Sequence, residues 1–526
     1  MPKVFVLLSA LLISVLPADA RADPPAGFAE RVEQLRAESG SPGIAIAIVE
    51  NGETTLAQGW GVRRLGEAAR VDADTIFATG STGKAFTTAA IATLVDQGRL
   101  GWDDKVIDHM PWFRMFDPWV TSEITVRDLL VHRSGLALGA GDLLFVPRSS
   151  LTRRETVERL RHIPPATSFR SAYAYDNILY VVAGQLIEEV TGQTWEEYVR
   201  SAVLQPGGML ASTTDYDSRY AAPNRAFPHA RVNGALRGDG PISVLNERDE
   251  LGRNAMPAGG LAMSANDLAQ WLHIQLAQGA IPGGGRLFSE AAAREMWQPV
   301  TIMPITPWPG DLAPATPSHS AYALGWEVED YRGSPMIWHS GGVFGAITVV
   351  VLLPKQNVGF AIALNSEEAA LRRGLMYELM DHYLGLPFYD WPAKWDTYVD
   401  ARLAGGIAAV AEMRDTPASA GPSLPLPAYA ATYHDNWYGD VMVSERGGGL
   451  WINFASTPRM EGRLEHYQYD TFRTVLTDPA IEPALVTFQL DAHGAVERVR
   501  MQAASPLADF SFNYHDLDLR PVRAGQ

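Results

Sequence analysis

The chain contains no cysteine. That absence excludes disulfide bonds, a thiolate metal site and a lipid carried on an N-terminal cysteine, so the fold must be held by its core alone. Basic charge is also scarce: 43 Lys and Arg stand against 60 Asp and Glu, a formal net charge of −17. Neutralising phosphates needs a concentrated basic face, so nucleic acid is excluded as a partner and adhesion to anionic lipid is disfavoured. Beyond the N-terminus no apolar run approaches the ~18 residues of a spanning helix, and membrane insertion is not expected. The 12 histidines show neither H-E-x-x-H nor a clustered His/Asp spacing, so no metal is expected, and no other cofactor. Internal repeats and low-complexity tracts are absent.

What is present is enough apolar material, 47% of 526 residues, for at least one large core and more than one domain. The N-terminus, MPKVFVLLSALLISVLPADARADPP, has the anatomy of a secretory signal peptide over residues 1–22. Lys3 is the positive end, Val4–Leu16 the apolar segment, and Ala18-Asp19-Ala20 or Ala20-Arg21-Ala22 the small-residue cleavage site. A periplasmic or secreted location is therefore expected.

Ile44–Glu50, Asn51-Gly52 and Glu53–Gly59 read as a hairpin, with Asn-Gly supplying the positive-φ turn. Thr82–Gln97 repeats apolar residues at helical spacing and stops at Gly98. Helical runs recur at Val126–Leu130, Asn177–Val190, Trp195–Val203 and Asn266–Leu276, and strand character returns at Ala346–Leu353 and Gly359–Leu364. Strands at both flanks of a helical middle predict one antiparallel sheet packed against helices, an α/β (α+β) fold over residues 23–400. A helix at about Thr397–Met413 and a Pro/Ser/Gly-rich linker fill residues 401–427. Six short strand-like runs between Val441 and Gln502, punctuated by Gly447-Gly448-Gly449 and His493-Gly494, predict a small all-β sandwich or barrel over 428–526.

The stretch Gly80–Phe86, GSTGKAF, follows a β-like run at Thr75–Ala78 and opens a helix. As a phosphate loop it fails, because glycine and Ser/Thr are required where Ala78 and Ala85 stand. As a nucleophile elbow it fails too, since Thr79 replaces the glycine two residues before the serine. S-x-x-K remains: Ser81 and Lys84 lie one turn apart on one face, with Ser81 at the positive end of a helix dipole. A serine hydroxyl becomes nucleophilic when a base removes its proton. Lysine serves as that base only when burial or nearby positive charge brings its pKa toward neutrality.

Two further motifs follow in order, Tyr175-Asp176-Asn177 at a helix start and His339-Ser340-Gly341-Gly342 before a strand. With S-x-x-K they resemble the serine β-lactamase and penicillin-binding-protein superfamily, on the branch of class C β-lactamases, D-aminopeptidases and related esterases. The resemblance runs from about Phe28 to Trp391 and takes in Ile124–Leu136, Pro257–Leu272 and Tyr322–Trp326. More loosely, Tyr429–Tyr433 and Trp437-Tyr438-Gly439 resemble a β-rich domain often appended to such hydrolases.

The resemblance implies that Ser81 becomes the acyl-enzyme while Lys84 shares its proton. Tyr175, pushed toward phenolate by neighbouring cations, would be the general base, and Asn177 would orient the lysine and a substrate amide. The backbone amides of Ser81 and Gly342 would form the oxyanion hole, with Gly341 and Phe344 beside the substrate. His339 departs from the lysine usual at that place. Its charge is weaker and pH-dependent, so a β-lactam carboxylate would be held less well, and the ring is free to bond Tyr175 or a substrate carbonyl. Asp176 is expected to face solvent, His132 to be structural and His229 to edge the cleft. The implied activity is an exported, metal-independent serine hydrolase cleaving small peptide or amide substrates, with D-residue-containing, non-ribosomal and linearised cyclic peptides as candidates. Two alternatives stand beside it, a carboxylesterase of the same type and a penicillin-binding sensor with weak or no turnover.

Overall fold

The computed structural model describes residues 24–246 and 251–522, so the signal-peptide segment lies outside the described residues. The expected hairpin forms between Gly43–Glu50 and Glu53–Gly61. Its two turn residues, Asn51 (φ 51°) and Gly52 (φ 84°), both adopt the left-handed conformation of a tight hairpin turn. The first strand then pairs with Val358–Leu364 in the register Ile44↔Leu364, joining the two flanks of the chain.

Eight strands complete this antiparallel sheet. Their order is Glu53–Gly61, Gly43–Glu50, Val358–Leu364, Ala346–Leu353, Ser334–Val343, Glu327–Tyr331, Ser320–Tyr322 and Thr301–Ile302. Its central strands are buried on both faces, and the alternation of side chains sorts them into two cores. Ile44, Ile46, Ile48, Val349, Val351, Phe360 and Ile362 meet Phe28, Val32 and Leu35 of helix Phe28–Ser39 and Leu375 and Leu379 of helix Ala369–Tyr383. Ala45, Ala47, Ala361 and Ala363 face the other way, in one core with helices Lys84–Asp96 and Ala265–Leu276. Small residues let that second layer approach closely: a Cβ added to Gly359 would stand 2.9 Å from Leu352 and 3.1 Å from Leu272.

The last helix of this region is longer than the sequence suggested, Trp391–Asp415. Its extra first turn is fixed by tertiary packing, with the Trp391 and Trp395 rings against Tyr377 at 4.8 and 5.8 Å. Trp195–Val203 is not one α-helix: it is α over Trp195–Val199 and changes to a π-helix over Arg200–Leu204.

Beyond the linker, eight strands from Ala431–Asp435 to Arg520–Pro521 form a second antiparallel sheet. The final strand returns to pair with Tyr433–His434, and a bridge between Val499 and Leu519 nearly closes the sheet into a barrel. The barrel docks on the first domain through polar contacts with its backbone. Arg159 Nη1 donates to the Trp437 carbonyl (2.8 Å), Ser150 N to that of Ser456 (2.9 Å) and Arg237 Nη1 to that of Ala480 (2.5 Å).

Candidate active site

Ser81 sits on a 3₁₀ turn, Gly80–Gly83, that runs directly into helix Lys84–Asp96. Thr79, just before it, is pinned from several sides. Its amide and hydroxyl bond the Leu261 carbonyl at 2.9 and 3.0 Å, and its own carbonyl accepts from Thr348 Oγ1 at 2.6 Å. Strand Ser334–Val343 passes so near that side chains are excluded. A Cβ on Gly80 (φ 54°) would lie 2.5 Å from the Gly342 amide nitrogen, and one on Gly341 2.0 Å from the Thr79 carbonyl oxygen. The glycines thus bring the amides of Ser81 and Gly342 into one place, and Ser81 N, in the first turn, has no intrahelical acceptor.

Lys84 is fully buried. Its Nζ donates to Asn177 Oδ1 at 2.7 Å and to the Ala258 carbonyl at 2.8 Å, and lies 3.0 Å from Ser81 Oγ. Burial lowers its pKa to about 7 against the attraction of Asp142 and Asp176. A neutral amine has two N–H groups and one lone pair. With both N–H groups taken by carbonyl oxygens, the lone pair is left for the serine proton.

Asn177 is held from its other end, where Nδ2 donates to Asp142 Oδ2 at 2.8 Å. Asp142 is itself buried, and burial raises its pKa to about 8, opposed by the hydrogen bonds from Asn177 and Ser511. Asp176 does not face solvent. It is buried and accepts from Ser134 Oγ at 3.1 Å, and burial lifts its pKa to about 7.

Tyr175 stands above the lysine, its ring centroid 4.8 Å from Nζ. The expectation of a phenolate fails. Burial raises the phenol well above its ordinary value, and this outweighs the opposing pull of the Ser81 hydroxyl. The Ser81 contact is loose, because Tyr175 Oη is buried without a hydrogen-bond partner of good geometry among the described residues. A lowered lysine beside a raised phenol suits the amine to the part of a base and the phenol to that of a proton donor.

His339 is not a cation. Burial lowers its pKa to about 3, and both ring nitrogens are engaged: Nδ1 with the Ser340 carbonyl at 2.6 Å and Nε2 with Tyr322 Oη at 2.8 Å. Nδ1 must donate to that carbonyl, so Nε2 accepts from the tyrosine. No hydrogen bond joins it to Tyr175 among the described residues, whose ring is 6.2 Å away. His132 is buried and neutral, its ring tilted against that of Tyr175 at 4.2 Å and accepting from the Asp176 amide at 3.2 Å. His229 is buried too, bonding the Leu65 amide and the Asn365 carbonyl, and does not edge the cleft. Phe344 packs on Phe512 of the barrel at 6.2 Å and under Arg237, so no contact with Ser81 defines a substrate role for it.

Ser81, Lys84, Tyr175 and Asn177 therefore meet in one place, with Gly341 and Gly342 against the serine turn. Asp142, Ser511 and the Ala258 carbonyl belong to the same cluster; Asp142 and Ser511 carried no sequence motif, and Ala258 lies in the stretch Pro257–Leu272 with no role assigned to it from sequence. Among the described residues no group of three or more His, Asp or Glu is placed to hold a metal ion, and no helix is long and apolar enough to cross a membrane. Two cavities of about 750 and 910 Å³ lie away from Ser81.

Residues 28–377 match the beta-lactamase family model, and residues 415–521 a domain of unknown function (DUF3471). The unguisins hydrolase of Aspergillus violaceofuscus is 29% identical over 76% of this chain and 72% of that protein. Penicillin-binding protein 4 of Amycolatopsis lactamdurans is 28% identical over 69% and 91% respectively. Among solved structures, the octameric penicillin-binding protein homologue from Pyrococcus abyssi superposes with a TM-score of 0.59 at 21% identity, covering 91% of this chain and 98% of that one.

Proposed function

The chain belongs to the beta-lactamase family of hydrolases, and on that premise we propose that it cleaves amide bonds of small linear peptides through an acyl-enzyme on Ser81. The observation that carries this reading is the Lys84 amine, lowered to about 7, with two N–H groups spent on carbonyls and Ser81 Oγ 3.0 Å away. Lys84 takes the Ser81 proton as Oγ attacks the substrate carbonyl. The oxyanion that forms faces the amides of Ser81 and Gly342, each such donor being worth about 3 kcal/mol of barrier. The tetrahedral adduct then collapses: the C–N bond breaks, and the leaving nitrogen takes a proton from the Lys84 ammonium directly or through the Tyr175 hydroxyl. A water molecule enters by the same route in reverse: its proton passes to Lys84 as it attacks the ester carbonyl, the acyl C–O bond breaks, and the Lys84 ammonium returns the proton to Ser81 Oγ, freeing the serine and the acid product.

Two features favour a peptide over a β-lactam or a simple ester. Neutral, engaged His339 offers no fixed cation for a carboxylate beside the carbonyl. A phenol kept protonated is an acid for a leaving amine, whereas an activated alkoxide needs none. The unguisins hydrolase, by its name, acts on unguisins; linearised cyclic and D-residue-containing peptides remain the candidates that the sequence reading gives here. Export through the N-terminal segment is part of the proposal, tested by fractionating cells that express the full chain.

The test is a panel of L- and D-aminoacyl p-nitroanilides, matching p-nitrophenyl esters, linear peptides and nitrocefin. Turnover of anilides and peptides, with nitrocefin the poorer substrate, is expected. Ester turnover with no anilide turnover would overturn the amide assignment, and stable acylation without release would indicate a sensor.

A further inference from the structure

The barrel's last irregular segment reaches the catalytic cluster. Ser511 Oγ donates to Asp142 Oδ2 at 2.8 Å, across 369 positions of sequence, and this is the oxygen that also accepts from Asn177. The chain of bonds is continuous: Ser511 to Asp142, Asn177 to Asp142, Lys84 to Asn177, and Lys84 to Ser81. Both Asp142 and Ser511 are buried, so bulk water does not supply a substitute donor.

The segment is fixed on each side of Ser511. Phe510 sets its ring edge-on to Tyr175 at 5.8 Å, and Phe512 packs on Phe344 at 6.2 Å. Phe510 also lies on the loop that leads to Asp142. Gly139 has φ 69°, and a Cβ there would stand 2.7 Å from the Phe510 carbonyl oxygen. Its amide donates to the Tyr175 carbonyl at 2.9 Å, so this one loop touches barrel segment and catalytic tyrosine together.

We infer that Ser511 is a positioning residue for Lys84, acting through Asp142 and Asn177, so that docking of the C-terminal barrel completes the active site of the first domain. The inference rests on the acyl-enzyme reading above. A buried carboxyl that loses one of two donors relaxes toward whatever partners remain, and the Asn177 amide turns with it. The Lys84 lone pair then no longer points at the serine proton. The effect also has an electrostatic signature. Lys84 is faced by Asp142 and Asp176, by neutral His132 and His339, and by the rings of Tyr175 and Tyr180. Asp142 is faced by Lys84 and, from the barrel segment itself, by Asp509. Removing the Ser511 donor makes Asp142 harder to ionise, weakens its hold on the lysine proton and lowers the pH at which Lys84 becomes free base.

The test is the rate of Ser81 labelling by a fluorophosphonate, followed against pH by intact mass in the full chain, for wild type, S511A, D142N and the double variant. S511A is expected to label about tenfold more slowly at pH 8, the scale of one hydrogen bond to a charged group, with the midpoint of its acid limb below that of wild type. In the D142N background, S511A should cost nothing further, because the hydroxyl acts only through the carboxylate. Wild-type rate and midpoint in S511A, or independent multiplication of the two effects, would overturn the inference while leaving the acyl-enzyme intact. An unlabelled wild type would overturn the acyl-enzyme reading itself, and the inference with it.

Discussion

The centre of the first domain and the centre of the barrel are both closed to solvent, yet they are made of opposite chemistry. In the barrel, Tyr429, Tyr433, Phe472 and Phe488 pack edge-on or tilted with ring centroids 4.9 to 5.9 Å apart. Its buried phenols are engaged: Tyr433 Oη donates to the Tyr429 carbonyl at 2.7 Å, Tyr438 Oη pairs with Thr457 at 2.8 Å and Tyr514 Oη donates to the Glu482 carbonyl at 2.8 Å. Around Lys84 the polar groups are buried with bonds left over. His132 Nε2, Asp142 Oδ1, Asp176 Oδ1 and Tyr175 Oη are without a partner among the described residues. Saturated polar groups and packed rings stabilise a fold, whereas unsaturated ones raise or lower pKa values and wait for a substrate. The segment that carries Ser511 joins the barrel to the Lys84 cluster.

Substitutions in the two centres should therefore separate activity from stability. Ser81→Ala is expected to reduce kcat/KM on an anilide by at least ~10³-fold with a melting temperature within ~2 °C of wild type. A large fall in stability with turnover retained would remove Ser81 from the reaction.

Lys84→Met should lose a similar share of activity and also change the pH dependence of stability. Its pKa falls from 10.5 unfolded to about 7 folded. Between those values the unfolded chain holds a proton that the folded chain does not, so this lysine's contribution to stability improves as pH rises through the window. Its cost is complete below about pH 7, so urea unfolding should show the variant gaining on wild type as pH falls from 10.5 to 7. A difference independent of pH would mean that the amine is solvated.

Tyr175→Phe is expected to slow anilides by ~10²-fold or more and activated p-nitrophenyl esters much less, since p-nitrophenolate leaves without a proton. Equal losses on both would return the phenol to the role of general base. Phe488→Ala should do the reverse of these, costing ~3–5 kcal/mol in unfolding while folded enzyme labels Ser81 at the wild-type rate.

Much of the fold was legible because it is written in local pattern. Asn51-Gly52 announced the hairpin, and the β-branched apolar run from Ala346 to Leu353 gave that strand with its observed ends. The meeting of Ser81, Lys84, Tyr175 and Asn177 could be read from motif order. The electrostatics could not, because burial decides them. Asp176 looked exposed as a polar residue at a helix start, His339 looked chargeable and Tyr175 looked ionised, and each is enclosed by elements far away in sequence. Ser511 had no readable signal either, since nothing in Asp509–Phe512 marks a partner 369 positions earlier. The first turn of Trp391–Asp415 was missed for a related reason: its tryptophans are set by contact with Tyr377 rather than by helical propensity.

The most direct measurement is the pH profile of Ser81 labelling by a fluorophosphonate in wild-type protein, with Lys84→Met as the control. A rate that rises through a midpoint near pH 7, and a control that stays slow and flat across the range, is the expected result. A midpoint near 10, or a control that keeps the wild-type profile, would contradict a buried neutral amine as the base that activates Ser81.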